Sequence, residues 1–408
     1  MNYLLSQRKI AELSYYPTIV FFFCLIFDPN EAWLGLKTEL FIILLLIVLL
    51  NITFFKNSFP KNMYAFVFLF ILIPFISILL NLFLRNNVPI GYLVLIKGYL
   101  FILFIFILSM NNRDYIKDFA FLLNVLSIIV CFIGIIVLFQ PSTFFPIRSF
   151  FEAIKFGDFG IRNFSGNSIL SFSIYTLPLL TLAISYNYYI YKKSNYFFYK
   201  MISIVLISSN CAALFLSGSR ANIIGCVFLL SILILMFENK RIKLTFISFV
   251  SLFVIIFLGD IYYLVANSLS FSEPSNAIKL ASMLDYKDIF SDPTVFLFGQ
   301  GLGSAAEWNF RGLTYLDQSF ITELTYFEIF RFFGIFFGLV IIYLMLYPIL
   351  LVKKITNNEY KKYYLILLCG YTIFLFQSFF NPIYFNSIGI SFLALMISTN
   401  YYLSKKIQ

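Results

Sequence analysis

The chain has 408 residues, of which 61% are hydrophobic and only 12% are charged, with a mean hydropathy of +0.91. Soluble domains average about 45–50% apolar and about 25% charged residues, so this composition excludes a soluble globular protein and predicts an integral membrane protein. The sequence has no histidine, and its five cysteines stand singly without a CxxC pair. These features argue against a disulfide framework, a zinc site and histidine acid-base chemistry.

Apolar runs of roughly 17 to 25 residues are long enough to cross about 30 Å of hydrocarbon as a helix. The sequence predicts about twelve such spans. It shows no repeat at a fixed period and no inverted pair of halves, so we predict one all-α polytopic membrane domain over residues 1–408. The predicted spans are 12–28, 35–55, 62–84, 90–110, 119–140, 168–190, 197–217, 221–238, 244–265, 321–350, 363–381 and 383–402.

The net charge of +10, from 29 basic and 19 acidic residues, is compatible by itself with a nucleic-acid partner, but the positions of the charges argue against one. If the N-terminus is cytoplasmic, the inward connections hold 18 basic residues and the outward connections hold 9. The positive-inside rule then predicts that both termini are cytoplasmic. A cleavable signal peptide over residues 1–28 is the alternative. No small-x-small site follows that stretch, so we expect a retained first helix.

Two predicted outward segments, about 141–167 and 266–320, are longer than the other connections, and long loops in compact proteins are often functional. The first segment ends in FGIRNFSGNSIL, with Arg162 before a Ser-Gly-Asn element, and also carries Arg148 and Lys155. It is either an ordinary polar loop that closes with a helix N-cap or a cationic lid. Because outward basic residues run against the topology rule, we expect an anion to compensate them.

A second candidate is the turn in LSGSRANIIG, residues 216–225, which lies between two predicted spans on the outward side. Ser217, Gly218 and Ser219 expose backbone amides beside Arg220, and the next helix is expected to begin at Ala221. Backbone amides, a helix N-terminus and a guanidinium together bind phosphate. The alternative is an arginine that snorkels to the membrane interface, as is common at helix ends.

The late segment LDQSFITELTYFEIFRFFGIFFG, residues 316–338, concentrates charge at the outer edge of the tenth span. Asp317 and Glu323 are expected at that edge, Glu328 about one turn deeper, and Arg331 roughly 15 Å in. Glu328 and Arg331 are three residues apart, so they either form a structural ion pair or face a polar cavity open to the outside.

Two further features of the sequence bear on this outer site. Lys97, in the fourth span, either lines the same cavity or snorkels outward. GQGLGS, residues 299–304, lacks the Lys-Ser/Thr of a P-loop and lies outside a βαβ unit, so we do not interpret it as a nucleotide site.

The S-x-S-R turn, the earlier R…SG.N element, the long late loop and the acidic-aromatic helix with Gly334, Ile335 and Gly338 resemble the O-antigen polymerase (Wzy) and O-antigen ligase families. The resemblance implies a GT-C-like fold in the bacterial inner membrane, with an active site that faces the periplasm. It implies a metal-independent glycosyltransferase without a cofactor. The substrates would be oligosaccharides linked to undecaprenyl diphosphate, and a chain-length regulator is an expected partner.

The same resemblance implies roles for particular residues. Arg220 and Arg162 match the family arginines that would hold the donor diphosphate, and Asp317 or Glu323 would act as general base. Independently of the resemblance, Arg331, Arg148 and Lys97 are also expected to bind the diphosphate, because they share the predicted outward side, with Glu328, Ser217 and Ser219 as supporting residues. The ligases use a histidine after the long loop, and this chain has none, which favours a polymerase. The R-x10-G pattern of some polymerases is missing, since the required positions hold Phe159, Ser173 and Thr322.

Three alternatives stay open from the sequence. A flippase or transporter of lipid-linked oligosaccharides predicts charges distributed through several helices, whereas here they concentrate at the outer mouth. A ligase differs in its acceptor rather than in its fold. A scaffold is the alternative that the sequence favours least, because a scaffold does not require a charge as deep in the membrane as Arg331.

Overall fold

The computed structural model of the chain describes residues 2–55, 59–85, 92–111, 113–164, 167–256, 259, 274–304, 308–310, 313–315, 324–380, 384 and 386–406. Helices dominate these residues because a helix satisfies the backbone hydrogen bonds of an apolar segment internally, which a lipid environment requires. The N-terminal half contains α1 Asn2–Phe27, α2 Lys37–Phe55, α3 Lys61–Arg85, α4 Tyr92–Leu100, α5 Phe104–Met110, α6 Ile116–Phe139, α7 Phe144–Ile154, β1 Gly157–Phe164, β2 Asn167–Ile174 and α8 Leu180–Lys193.

In the C-terminal half, the elements described between α11 and α14 are shorter than the other helices. The elements are α9 Phe197–Leu216, α10 Arg220–Phe237, α11 Lys240–Ile256, α12 Pro274–Ile289, α13 Pro293–Phe298, β3 Trp308–Phe310, β4 Leu313–Tyr315, α14 Thr325–Leu350, α15 Asn358–Phe379 and α16 Ser387–Lys405. The predicted loop over 266–320 therefore contains helical segments and a short antiparallel strand pair.

Among the described residues, six helices are long and apolar enough to cross a membrane, judged by length and composition. They are Lys61–Leu84, Ile116–Phe139, Phe197–Leu216, Arg220–Phe237, Thr325–Lys354 and Asn358–Phe379. Shorter apolar helices cover Ser14–Phe27 and Leu95–Met110. This architecture confirms a helical membrane protein, while the number of twelve spans stays a prediction.

The sixth predicted span, 168–190, is wrong over its first part. Residues 157–174 form an antiparallel hairpin of β1 and β2, and the helix begins only at Leu180. Phe159 and Phe172 are paired across the hairpin, and their ring centroids lie 4.6 Å apart in its buried face. The sequence signal is the alternation of apolar and serine residues from Leu170 to Ile174, which is typical of a strand with one buried face.

Hydrogen bonds join several helix ends and connections at one end of the molecule, which we call the hairpin end because it carries β1 and β2. The bonds are Thr176 Oγ1 to the Ile26 carbonyl at 3.1 Å, Asn30 Nδ2 to the Lys155 carbonyl at 2.9 Å, Ser171 Oγ to the Ser217 carbonyl at 3.0 Å and Lys37 Nζ to Ser387 Oγ at 3.1 Å. The hairpin of β1 and β2, the connection between α1 and α2 and the turn between α9 and α10 therefore meet at one end of the helices.

Three buried asparagines connect α6, α8 and α9 inside the bundle. Oδ1 of Asn124 accepts hydrogen bonds from Nδ2 of Asn187 at 2.8 Å and from Nδ2 of Asn210 at 2.7 Å. All three residues are less than a tenth exposed. Amide hydrogen bonds of this kind hold helices together in lipid, where apolar contact alone gives little preference for protein over lipid tails.

Replacing Asn124 by leucine removes the shared acceptor and leaves the amides of Asn187 and Asn210 without it. We expect the variant to lose about 1–3 kcal/mol of stability, measured as a lower midpoint of thermal unfolding in detergent. Ser231→Ala is the control, because the exposed Ser231 hydroxyl donates to the Val227 carbonyl of its own helix. An unchanged midpoint for Asn124→Leu would contradict the interhelical role.

Candidate functional site

The turn between α9 and α10 has a fixed backbone conformation. Gly218 has φ +62°, a left-handed value that glycine adopts at little cost. Ser217 Oγ donates to the Leu214 carbonyl at 2.6 Å and accepts from the Ser219 amide at 3.2 Å. The amides of Ser217 and Gly218 donate to carbonyls at the end of α9, so the prediction that Ser217, Gly218 and Ser219 expose their amides is wrong. α10 then begins at Arg220, one residue earlier than predicted, and the N-cap Ser219 makes no side-chain capping bond. The positive end of the helix dipole therefore lies beside the half-buried Arg220.

The β-hairpin contacts this turn directly. Ser171 is 3% exposed, and its hydroxyl donates to the Ser217 carbonyl at 3.0 Å. The register pairs Arg162 with Ile169, which is two residues along β2 from Ser171. The backbone positions of Arg162 and Arg220 therefore belong to two elements that are hydrogen-bonded to each other. The side chain of Arg162 lies outside the described residues, as do Asp317 and Glu323.

Arg148 lies on the surface of α7 rather than in an enclosed site. Its Nε is 2.8 Å from Oε1 of Glu152, four residues along the helix, and both side chains are about half exposed. Exposed pairs of this type contribute little to stability. Glu152 nevertheless compensates the charge of Arg148, so the segment is less cationic than its basic residues alone suggest.

Lys97 has an acidic partner, Glu31, that the sequence pattern does not indicate. Its Nζ lies 2.8 Å from Oε2 of Glu31, which follows α1 in the connection to α2. Burial raises the pKa of Glu31, but the hydrogen bonds from Lys97 and Thr38 outweigh that effect and hold its pKa below the ordinary value. Glu31 is therefore ionised at neutral pH, and it neutralises Lys97.

A buried carboxylate organises the same connection. Asp28 is 1% exposed, and its two carboxylate oxygens accept backbone amides of Ala32, Trp33, Leu34 and Gly35 at 2.7–3.4 Å. This wrap of the chain around one carboxylate fixes the position of Glu31 toward Lys97. The first connection thus supplies negative charge to the hairpin end.

Arg331 is completely buried and surrounded by acceptors. Its Nε and Nη2 atoms donate to the same oxygen of Glu328, at 2.9 and 2.6 Å. Its Nη1 donates to Oε1 of Gln300 at 3.0 Å and to the Ser304 carbonyl at 2.8 Å. Tyr286 donates to the other oxygen of Glu328 at 2.6 Å. Of the two alternatives that the sequence leaves open, the structure shows the ion pair of Glu328 and Arg331, and the remaining bonds of Arg331 link α14 to the segment before it.

α14 is broken next to this ion pair. Gly334 has φ +67° and ψ −179°, and the freed carbonyls of Arg331 and Phe332 accept the amides of Gln300 and Gly301 at 2.6 and 3.1 Å. A Cβ on Gly334 would lie 2.2 Å from the carbonyl oxygen of Leu297. The GQGLGS segment, which we set aside as a nucleotide site, therefore binds the backbone of the broken helix.

α3 also contacts the place where the GQGLGS segment meets the broken helix α14. Ser77 Oγ donates to the Phe332 carbonyl at 2.7 Å and accepts the Leu302 amide at 3.1 Å. The sequence signals for this arrangement are Gly299, Gly301 and Gly334, since each adopts a positive φ. Gly299 and Gly334 also allow two backbones to approach closely. Only the structure shows that these glycines face each other.

The predicted cations thus fall into two groups. Arg331, Lys97 and Arg148 have acidic partners within 3 Å. Arg220 lies at a helix N-terminus whose turn is bonded to the strand pair that carries Arg162. The second arrangement is the one suited to a phosphate.

Among the described residues, no group of three or more His, Cys, Asp or Glu residues could hold a metal ion. Comparison with models of known protein families and with curated proteins finds no match for the chain.

Replacing Arg331 by methionine leaves Glu328 as an uncompensated buried charge. We expect a loss of about 3–5 kcal/mol of stability, which a second change, Glu328→Met, partly restores. The measurement is thermal unfolding in detergent of the two single variants and the double variant. Arg220→Ala serves as a comparison, because Arg220 is only half buried. A normal midpoint for Arg331→Met, with only substrate binding reduced, would instead support a direct contact between Arg331 and the diphosphate.

Proposed function

We propose that the chain is a polymerase of bacterial surface polysaccharide of the O-antigen polymerase (Wzy) type, in the inner membrane, with its active site on the periplasmic side. It would transfer the growing glycan from one undecaprenyl diphosphate carrier to a repeat unit on a second carrier. The observation that supports this most directly is the hydrogen bond from Ser171 to the Ser217 carbonyl, which joins the strands that carry Arg162 to the turn that carries Arg220.

The proposed site binds the donor diphosphate at the start of α10. Arg220 and the first amides of the helix supply donors to the phosphate oxygens, and Arg162 approaches from the hairpin. Ser217 and Ser219 hold the turn in shape, since the Ser219 amide donates to the Ser217 hydroxyl.

The proposed reaction breaks one bond and forms one. A hydroxyl of the acceptor sugar attacks the anomeric carbon of the donor, and the bond from that carbon to the diphosphate oxygen breaks. The diphosphate leaves with the electron pair, and its negative charge is stabilised by Arg220 and Arg162. The proton of the attacking hydroxyl passes to Asp317 or Glu323 as general base.

Arg331, Lys97 and Arg148 have indirect roles in this proposal. Arg331 holds Ser304, where the chain enters the segment with Asp317 and Glu323, against the start of α14. Lys97 and Glu31 tie the first connection to α4. The proposed diphosphate contacts are those of Arg220 and Arg162, because these two arginines belong to the turn and the hairpin that the Ser171–Ser217 hydrogen bond joins.

The glycan ladder of a deletion strain tests the proposal. Without a polymerase, the surface lipid carries a single repeat unit, whereas loss of a flippase or ligase leaves none. The variants Arg220→Ala, Asp317→Asn and Glu323→Gln are introduced into the deletion strain, and their ladders are compared at matched protein levels. Arg220→Ala and one of the two carboxylate variants should give only the single-repeat band, because loss of one donor to the leaving group slows such reactions by about 10²–10³.

Arg241→Ala is the matched control, because Arg241 is an exposed arginine near the start of α11, away from the Ser217–Arg220 turn in the sequence. It should restore the full ladder. Bare surface lipid in the deletion strain would favour the flippase or the ligase. A full ladder from all three site variants would refute the site assignment.

A further inference from the structure

Asn222 has a buried oxygen without a hydrogen-bond donor. Asn222 is the third residue of α10 and is 4% exposed. Its Nδ2 donates to Ser217 Oγ at 3.0 Å, so the side chain folds back toward the turn. Its Oδ1 is buried and finds no hydrogen-bond partner in the described part of the chain. Buried polar atoms are nearly always paired, so an orphaned one indicates a missing ligand or water.

The surroundings fix which end of the amide is unpaired. The Ser217 hydroxyl uses its hydrogen to donate to the Leu214 carbonyl at 2.6 Å. Its lone pairs therefore accept from the Ser219 amide and from Asn222 Nδ2. With the amide reversed, Oδ1 would face an oxygen that has no hydrogen left to give. The unpaired atom is thus an acceptor, and it requires a donor.

A phosphate alone does not meet that requirement, because its ionised oxygens accept hydrogen bonds. The turn beside Asn222 offers the opposite chemistry, with a guanidinium at Arg220 and the amides of a helix N-terminus. A ligand that satisfies both requirements carries negatively charged oxygens next to a hydroxyl group. A sugar joined to a phosphate has both groups on neighbouring atoms.

The packing below Asn222 indicates the direction of approach. Gly225 lies three residues on along the same helix face, and a Cβ there would be 2.7 Å from Nε2 of Gln377 on α15. The two helices are therefore in close contact one turn below Asn222. This contact closes the side of Asn222 that faces the bundle, so the proposed ligand lies on the side of the Ser217–Arg220 turn.

We propose that Oδ1 of Asn222 accepts a hydrogen bond from a hydroxyl of the sugar that is attached to the donor diphosphate. The inference rests on the proposed function, and it assigns recognition of this first sugar to α10. Arg220 then binds the diphosphate part of the donor, and Asn222 distinguishes a carrier with a sugar from a bare carrier. Asn222 is a specificity residue in this scheme and takes no part in proton transfer.

The test measures the affinity of the purified full chain, in lipid nanodiscs, for two probes. One probe is undecaprenyl diphosphate, and the other is undecaprenyl diphosphate that carries a single hexose. We expect the native chain to prefer the hexose probe, and Asn222→Leu to lower that preference about tenfold, or about 1.4 kcal/mol. Asn222→Asp keeps an acceptor oxygen, so it should retain the preference even if its charge weakens the binding of both probes.

Ser217→Ala tests how the Asn222 amide is oriented. It removes the partner of Asn222 Nδ2, so it should also lower the preference, and thermal unfolding of each variant checks its fold. An unchanged preference in a folded Asn222→Leu variant would overturn the inference while the proposed function stands. If the native chain binds neither probe, both the inference and the proposed function fail.

Discussion

Inside a membrane, no water completes the hydrogen bonds of a polar group, so every buried charge and every freed carbonyl must find its partner in the protein. The break of α14 at Gly334 shows how this constraint shapes the hairpin end. The break releases the carbonyls of Arg331 and Phe332, which accept amides of the segment before α14. The Arg331 guanidinium then binds Glu328 and Ser304, so one interruption of a helix attaches the GQGLGS segment, residues 299–304, to the bundle.

Two cations of the hairpin end, Arg331 and Lys97, have acidic partners in the protein. A charge that is held by an acidic partner, as Arg331 is by Glu328 and Lys97 is by Glu31, has little electrostatic attraction left for a ligand. Arg220 lies at the first position of α10, where the positive end of the helix dipole is located. The proposed phosphate site is therefore defined by backbone geometry as much as by the arginine.

Asn222 extends this reasoning from charge to hydrogen bonds. Its amide nitrogen is fixed by Ser217, and its oxygen is left as an acceptor inside the protein. Leaving such an atom unpaired costs about 1–3 kcal/mol, and a bound hydroxyl recovers that free energy. Donors for an anion and an acceptor for a hydroxyl occupy one turn of α10. This combination is what a sugar diphosphate requires, and it gives the proposed polymerase a means to select its donor.

The sequence by itself determined the membrane class and the approximate positions of most long helices, because these depend on local composition. It placed Glu328 and Arg331 three residues apart but left open whether they pair or face a polar cavity. It did not determine the hairpin over 157–174, since an apolar run before a helix reads as part of that helix unless its alternation is weighed. Nor did it reveal the partners of Lys97 and Arg331 in distant segments, Glu31, Gln300 and Ser304. Only the tertiary structure decided which distant groups surround Lys97 and Arg331, because packing between segments brings such partners together and spacing along the chain does not reveal it.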